Sequence, residues 1–89
     1  MELILVRSKA GHDKDRLYVI IARENNILFL ADGKYRKIAN PKKKKEKHVQ
    51  PIYCFPDPVR VLIKGIAKPE DSDIKKIIKL YEQLTNKEN

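Results

Sequence analysis

Cations are the side chains best suited to bind a ligand in this sequence, and one segment holds most of them. Residues 34–48, here called the basic segment, contain eight basic residues and one acid, so they supply seven of the eight net positive charges of the 89-residue chain. Four of these residues, Lys42–Lys45, are consecutive. We expect them to be exposed, with an anionic partner relieving their mutual repulsion. Lysine ammonium groups can follow a phosphate backbone but lack the planar fork that reads bases.

Further cations flank a polar loop around Gly11. Their long side chains can reach phosphates, although Lys14 has an alternative role in neutralising Asp13 and Asp15. His48 can bond a phosphate or stack on a base, although a lone histidine beside a strand is more often packed or solvated. Nucleic acid is the first candidate partner and an anionic surface the second. The candidate binding residues are Arg7, Lys9, Lys14, Arg16, Lys34, Arg36, Lys37, Lys42, Lys43, Lys44, Lys45, Lys47 and His48.

Other kinds of chemistry are poorly represented in the sequence. The chain has one cysteine, two histidines and three glycines. It contains no serine–histidine–aspartate order, no glycine-rich phosphate loop and no cysteine and histidine spacing typical of zinc. No basic helix carries bulky apolar anchors for a lipid surface. We therefore expect no enzymatic activity, cofactor, metal, small-molecule substrate or membrane partner.

The length predicts a single domain over residues 1–89 with a small core. A lone cysteine, Cys54, forms no intrachain disulfide, so we expect a reducing compartment and a small buried side chain at this position. The longest apolar run, residues 17–22, is far shorter than the roughly 20 residues of a membrane span. Because Met1-Glu2 lacks the basic start of a secretory signal, we expect a cytoplasmic protein.

Apolar runs separated by turn residues predict a mainly β domain. Asp32-Gly33 is typical of a two-residue hairpin turn, which places Tyr35 on the following strand, facing inward. Asn40-Pro41 ends that strand and leaves Lys42–Lys45 in a connection. Residues 49–53 contain Pro51 and fit an edge strand or an extended link. The five predicted strands are residues 3–6, 17–22, 27–31, 34–39 and 59–64.

The last of these strands has an alternative interpretation as a helix. Residues 59–64 alternate as in a strand, but Asp57-Pro58 is also typical of a helix start and Gly65 of a helix end. After Pro69, three acids favour a helix N-terminus, and apolar residues follow at three- and four-residue steps. The sequence thus predicts a small β-barrel over about residues 1–66 and one amphipathic helix over about residues 70–86.

The first polar loop carries a family resemblance. Residues 5–14, LVRSKAGHDK, enter an apolar strand and resemble a KOW motif, the strand–loop–strand signature of many ribosomal and transcription-associated proteins. Residues 30–33 (LADG), 36–38 (RKI), 41–45 (PKKKK) and 47–51 (KHVQP) follow in order. Together these segments resemble the fourteen-e family of large-subunit ribosomal proteins and its small bacterial KOW-containing relatives, which bind RNA.

The resemblance implies an SH3-like barrel that binds structured RNA. The expected target is ribosomal RNA of the large subunit, contacted through the basic segment and the KOW loop, in a ribosome-associated protein of the translation apparatus. Asp15 departs from the pattern, because the KOW motif commonly carries a second glycine there. The alternative is an SH3-like protein-interaction module of a transcription or translation complex. The absence of tryptophan and the scattered aromatic residues favour RNA over a peptide.

Overall fold

The computed structural model describes residues 3–85, which form five strands, one 3-10 turn and two helices. The elements in chain order are β1 (Ile4–Ser8), β2 (Leu17–Glu24), β3 (Ile27–Ala31), β4 (Lys42–Lys45), the 3-10 turn (Glu46–His48), β5 (Val49–Pro51), α1 (Asp57–Lys64) and α2 (Asp71–Thr85). All strand pairs are antiparallel, in the order β4-β3-β2-β1-β5, so the fourth and fifth strands are the edges of the sheet.

The short link between the two edge strands forces the sheet to curl into a half-barrel. Only the 3-10 turn Glu46–His48 separates β4 from β5 along the chain. Four residue steps span at most about 14 Å, whereas the outer strands of a flat five-stranded sheet lie about 19 Å apart. The concave face therefore brings distant strands together. Leu28 and Leu30 of β3 share one buried cluster with Val49 of β5.

Side chains that alternate along the strands give the sheet two apolar faces. In β1, Val6 joins Tyr18 in the concave cluster, whereas Leu5 joins Val19 on the convex side. Both helices cover the convex side, so the larger part of the core lies between sheet and helices. Their buried residues in this cluster are Val59, Ile63, Ile74 and Ile77.

The predicted mainly β class is confirmed, with five strands in a small curled sheet and an amphipathic helix at the C-terminal end. The first three predicted strands coincide with β1, β2 and β3 to within a few residues. A tight turn joins β2 to β3, with Asn25 at a φ of +56°. The extended link around Pro51 is the edge strand β5.

The predicted fourth strand over residues 34–39 is wrong, because Asp32 folds this segment into a turn. Its Oδ1 accepts hydrogen bonds from the backbone N–H groups of Lys34, Tyr35 and Arg36 at 2.8–2.9 Å. Asp32-Gly33 is therefore not a two-residue hairpin, and Tyr35 is 66% exposed instead of facing inward. The fourth strand is β4, so the predicted connection over Lys42–Lys45 is wrong as well.

The predicted strand over residues 59–64 is also wrong, and the helical alternative is correct. α1 has Pro58 in its first turn and ends at Gly65. A strand would place Val61 on the same face as Val59 and Ile63. Helical spacing aligns only Val59 with Ile63, and these two are buried while Val61 is 68% exposed.

Cys54 lies in the link between β5 and α1 and is exposed, so its predicted burial is wrong. Ile52 and Phe55 of the same link pack against the convex cluster instead. Ile52 and Phe55 therefore anchor this irregular segment to the core, and the Cys54 thiol lies at the surface.

α2 begins where the acids predict it. The backbone N–H of Glu70 donates a hydrogen bond to Asp73 Oδ2 at 2.9 Å, a reach-back contact that satisfies a donor at the helix start. Ile74 and Ile77 are buried against the sheet, and Leu84 is exposed near the end. The helix is described to Thr85, and residue 86 of the predicted range lies outside the described residues. Within residues 3–85, neither helix is long and apolar enough to cross a membrane.

The turn after β3 is docked on the start of α2. Gly33 has a φ of +79°, and a Cβ there would collide with the carbonyl oxygen of Asp71. The Asp71 Oδ1 accepts a hydrogen bond from the backbone N–H of Ile38 at 2.8 Å. Glycine is thus required both by the backbone conformation and by the close approach. This docking fixes where the side chains of the turn lie relative to the helix.

Truncation of Ile77 tests the packing of α2 on the sheet. Ile77 is fully buried, so Ile77→Ala is expected to lower the free energy of unfolding by about 2–5 kcal/mol, the usual cost of a cavity in a core. Ile78 is only partly buried and serves as the control, with a smaller loss for Ile78→Ala. Urea unfolding followed by circular dichroism measures both. Equal, small losses would contradict the docked helix.

Candidate functional site

Asp13, in the loop between β1 and β2, anchors two of the four consecutive lysines. Its side chain is only 8% exposed. Lys44 Nζ lies 2.8 Å from Asp13 Oδ1 and 2.9 Å from the carbonyl oxygen of Ala10. Lys42 Nζ lies 3.4 Å from Asp13 Oδ2. These contacts tie the edge strand β4 to the β1–β2 loop.

Two hydroxyl groups complete the surroundings of Asp13. Ser8 Oγ donates a hydrogen bond to Oδ1 and the Tyr18 hydroxyl donates one to Oδ2, each at 3.0 Å. Burial raises the pKa of Asp13, but hydrogen bonds from Lys44, Tyr18 and Ser8 and the charge of Lys42 hold that pKa well below its ordinary range. Burial and the bond to Asp13 raise the pKa of Tyr18 to about 12. Asp13 is therefore a buried carboxylate and Tyr18 its neutral donor.

Strand geometry divides the four lysines into two pairs. Lys42 and Lys44 lie opposite the buried Leu30 and Leu28 of β3, on the concave side. The other two point outward, where Lys43 Nζ lies 5.8 Å from the centre of the Phe29 ring and Lys45 is exposed. The expectation that all four are exposed is therefore wrong, because the concave pair neutralises Asp13.

Eight of the thirteen candidate cations are exposed, and none of these eight lies within ion-pair distance of a carboxylate in residues 3–85. The exposed residues are Lys9, Lys14, Arg16, Lys34, Lys37, Lys43, Lys45 and Lys47. The half-buried ones are Arg7, Arg36, Lys42, Lys44 and His48. Positive charge without an internal partner thus remains at the surface even after the lysine pair on Asp13 is set aside.

Part of this charge is carried by backbone segments that adjoin one another. Lys43 and Lys45 project from the outer side of β4, and the chain leads directly from them through the 3-10 turn that contains Lys47. The backbone N–H of Lys9 then donates to the carbonyl oxygen of His48 at 2.8 Å. We call Lys43, Lys45, Lys47 and Lys9 the outer strip.

The loop between β1 and β2 is held by backbone geometry and by Arg7. Gly11 has a φ of +89°, and Asp15 has a φ of +74°, in the left-handed region that favours glycine. Arg7 Nη1 donates to the carbonyl oxygen of Asp15 at 2.9 Å. Lys14 forms no ion pair within the described part of the chain, so the alternative in which it neutralises Asp13 is not what is observed.

A pocket of about 560 Å³ lies between the turn after β3 and α2. Tyr35 stands at its wall, with the Arg16 guanidinium 5.1 Å and Lys34 Nζ 5.0 Å from the ring centre. Lys75 and Lys79 of α2 line the same pocket. From the sequence, core or barrel-rim packing of Tyr35 was preferred to base stacking, and Lys75 and Lys79 were not among the candidates. The four-residue spacing of the two lysines was the available signal, since it places both on one helix face.

Two comparisons with known proteins identify no relative of this chain. A scan against models of protein families finds no match for the chain, and a search of curated proteins finds none. The functional interpretation therefore depends on the residues and distances described above.

Lys43 and Lys44 are adjacent lysines with opposite roles, and they form a matched pair for a stability test. Lys44→Gln removes the closest partner of a buried carboxylate and is expected to lower the free energy of unfolding by about 3 kcal/mol, since Lys42 remains nearby. Lys43→Gln removes an exposed charge and is expected to cost less than about 1 kcal/mol. Urea denaturation measures both. Losses of the same size would refute the division of the lysines.

The depressed pKa of Asp13 predicts how stability depends on pH. A carboxyl group whose pKa is lower in the folded state stabilises the protein above its unfolded pKa of about 4, and this contribution is lost as the pH falls towards the folded value. The free energy of unfolding is therefore expected to fall below about pH 4 in the natural protein, and less steeply in Asp13→Asn. Urea unfolding at a series of pH values measures both slopes. Parallel curves would show that Asp13 is not the group responsible.

Proposed function

We propose that this protein binds structured RNA, with ribosomal RNA as the expected class, through its exposed cations. The observation that carries the proposal is the set of eight exposed basic side chains without a carboxylate partner in residues 3–85. Such unbalanced charge is stabilised by a polyanion. Phosphate contacts release condensed counterions and supply most of the affinity of a protein for a nucleic acid.

The outer strip is the proposed centre of the interface. Lys43 and Lys45 are carried by a strand, so their spacing is fixed at two residues on one face. Lys43 lies over Phe29 and Lys45 pairs in register with Ile27, so apolar side chains support both stems. A row of ammonium groups on a rigid support fits the phosphate backbone of a helix and carries little information about base sequence.

The loop between β1 and β2 supports the resemblance to KOW proteins. Gly11 and Asp15 both have positive φ values, and Asp15 occupies the position where the motif commonly carries a second glycine. The backbone at that position is therefore the one that glycine favours, with aspartate in its place. The curled five-stranded sheet is compatible with the SH3-like barrel that the resemblance implies. A translation-associated role follows from the same resemblance, and the single cysteine is in keeping with a reducing, cytoplasmic compartment.

A second candidate function, a protein-interaction module, has one observation in its favour. A smaller pocket of about 240 Å³ lies beside the link before α1, and Tyr53, 76% exposed, is part of its wall. Ile4 and Phe55 line the same pocket, and Arg60 stands 5.1 Å from the centre of the Phe55 ring. An aromatic and aliphatic surface with one arginine is typical of a protein contact.

Substitution of two lysines of the outer strip tests RNA binding. Lys43→Gln with Lys45→Gln is expected to weaken binding to a folded ribosomal RNA fragment about tenfold. The slope of log affinity against log salt should become shallower by about 1.5, because two phosphate contacts are lost. A filter-binding or fluorescence titration over a range of salt concentrations measures both quantities. The natural protein is expected to show a slope of about −4 to −6 if five to seven cations contact phosphates.

The control removes two exposed lysines from elsewhere on the surface. Lys64→Gln with Lys76→Gln changes the net charge by the same amount, on α1 and α2, and is expected to leave the slope nearly unchanged. Equal losses in both double variants would indicate a diffuse charge effect without a defined interface. A natural protein whose affinity hardly depends on salt would contradict RNA binding through phosphates and favour the protein-interaction module.

A further inference from the structure

The pocket between the turn after β3 and α2 has features that are not needed to bind the phosphate backbone of an RNA. Tyr35 is 66% exposed and contributes little to the core. The Arg16 guanidinium and Lys34 Nζ lie over the Tyr35 ring, 5.1 and 5.0 Å from its centre. An exposed aromatic ring beside cations is the surface on which an unstacked base packs, with its phosphate close to the positive charges. We infer that this pocket takes one unpaired nucleotide of the bound RNA, with the base against Tyr35.

The size and lining of the pocket fit a single nucleotide. Its volume of about 560 Å³ lies within the range of small-molecule sites. Leu17 and Ile78 provide an apolar part of the wall, suited to the faces of a base and a ribose. Lys75 and Lys79 stand on the helix side, within the same lining, where they can receive a phosphate.

Carboxylates in the same lining favour a nucleotide over a bare phosphate. Asp15, Asp32 and Glu82 line the pocket, and Asp32 Oδ1 already accepts the N–H groups of the turn. A site for phosphate alone gains nothing from acids at its rim, whereas a carboxylate accepts hydrogen bonds from the amino groups of a base edge. Cations and carboxylates around one aromatic ring therefore match the mixed charge of a nucleotide. Bases inside an A-form duplex are not accessible in this way, so the nucleotide must be unpaired.

The pocket is held open by contacts of the fold. Asp32 Oδ1 fixes the turn through the backbone N–H groups of residues 34–36. Gly33 packs directly on the backbone at the start of α2, and Ile38 is tied to Asp71. Tyr35 is thus carried by a turn that is anchored at both ends on the helix. A preformed site loses less conformational entropy when a ligand binds.

The inference rests on the proposed RNA binding, and two hairpin RNAs separate the two claims. One hairpin has a fully paired stem, and the other has the same stem with one extra unpaired nucleotide. The natural protein is expected to bind the bulged hairpin about tenfold more tightly, since stacking of one base on an aromatic ring contributes on this scale. A bulge that contains an abasic site should lose that preference, because the sugar and phosphate remain but the base is absent.

Three variants test whether the preference for the bulged hairpin depends on the pocket. Tyr35→Ala is expected to bind both hairpins with the affinity of the natural protein for the paired one, and Tyr35→Phe is expected to keep the preference. Tyr53→Ala removes a tyrosine of similar exposure outside this pocket and should also keep it. Circular dichroism checks that each variant is folded.

The outcomes of the hairpin experiment are distinct. Preference for the bulge that disappears only in Tyr35→Ala supports the inference. Tight binding to both hairpins without preference, or a preference that Tyr35→Ala retains, overturns the inference and leaves the proposed RNA binding in place. Failure of the natural protein to bind either hairpin overturns both.

Discussion

The carboxylate of Asp13 joins parts of the barrel that lie far apart in the sequence. It receives hydrogen bonds from Ser8 at the end of β1, from Tyr18 of β2 and from Lys44 of β4. A buried charge is costly unless it is fully paired, so each of these donors is required where it stands. The position of the edge strand β4 relative to the β1–β2 loop depends on this one group, which reinforces the curl that the short link between β4 and β5 imposes on the sheet.

The same interaction decides which lysines are available to a ligand. Because a strand alternates its side chains, a register that places Lys42 and Lys44 on Asp13 necessarily turns Lys43 and Lys45 outward. Two of the four consecutive lysines therefore make contacts within the fold, and the other two are exposed. A count of lysines along the sequence overestimates the number free to bind a ligand, since Lys42 and Lys44 lie against Asp13, whose single negative charge offsets one of them.

The sequence predicted the architecture better than it predicted the individual turns. Apolar runs such as residues 17–22 and 27–31 were decisive for strands, and the acids before Ile74 were decisive for α2. The alternation in residues 59–64 favoured a strand over a helix, and contact with the convex core selects the helix. Asp32-Gly33 is typical of a hairpin turn, but the Asp32 carboxylate accepts three backbone N–H groups, and Asp71 of α2 holds Ile38 at the end of the same turn.

The basic character of the candidate site was predictable from the sequence, but the side chains that form it were less so. The exposed cations follow from composition, whereas the burial of Lys44 depends on a contact 31 residues away along the chain. Tyr35 could not be identified as a surface residue while the segment around it was read as a strand. Lys75 and Lys79 lie on α2, outside the basic segment. Side chains from three distant segments meet in that pocket, and no single stretch of sequence reveals them together.

The lysine content of β4 has a consequence for the protein when no ligand is bound. β4 is an edge of the sheet, and the free N–H and C=O groups of an edge strand are a template for pairing with another chain. Two copies that approached through this edge would bring two rows of outward lysines together. The strand therefore resists edge-to-edge aggregation by its own repulsion, and this protection weakens wherever bound phosphate neutralises the row.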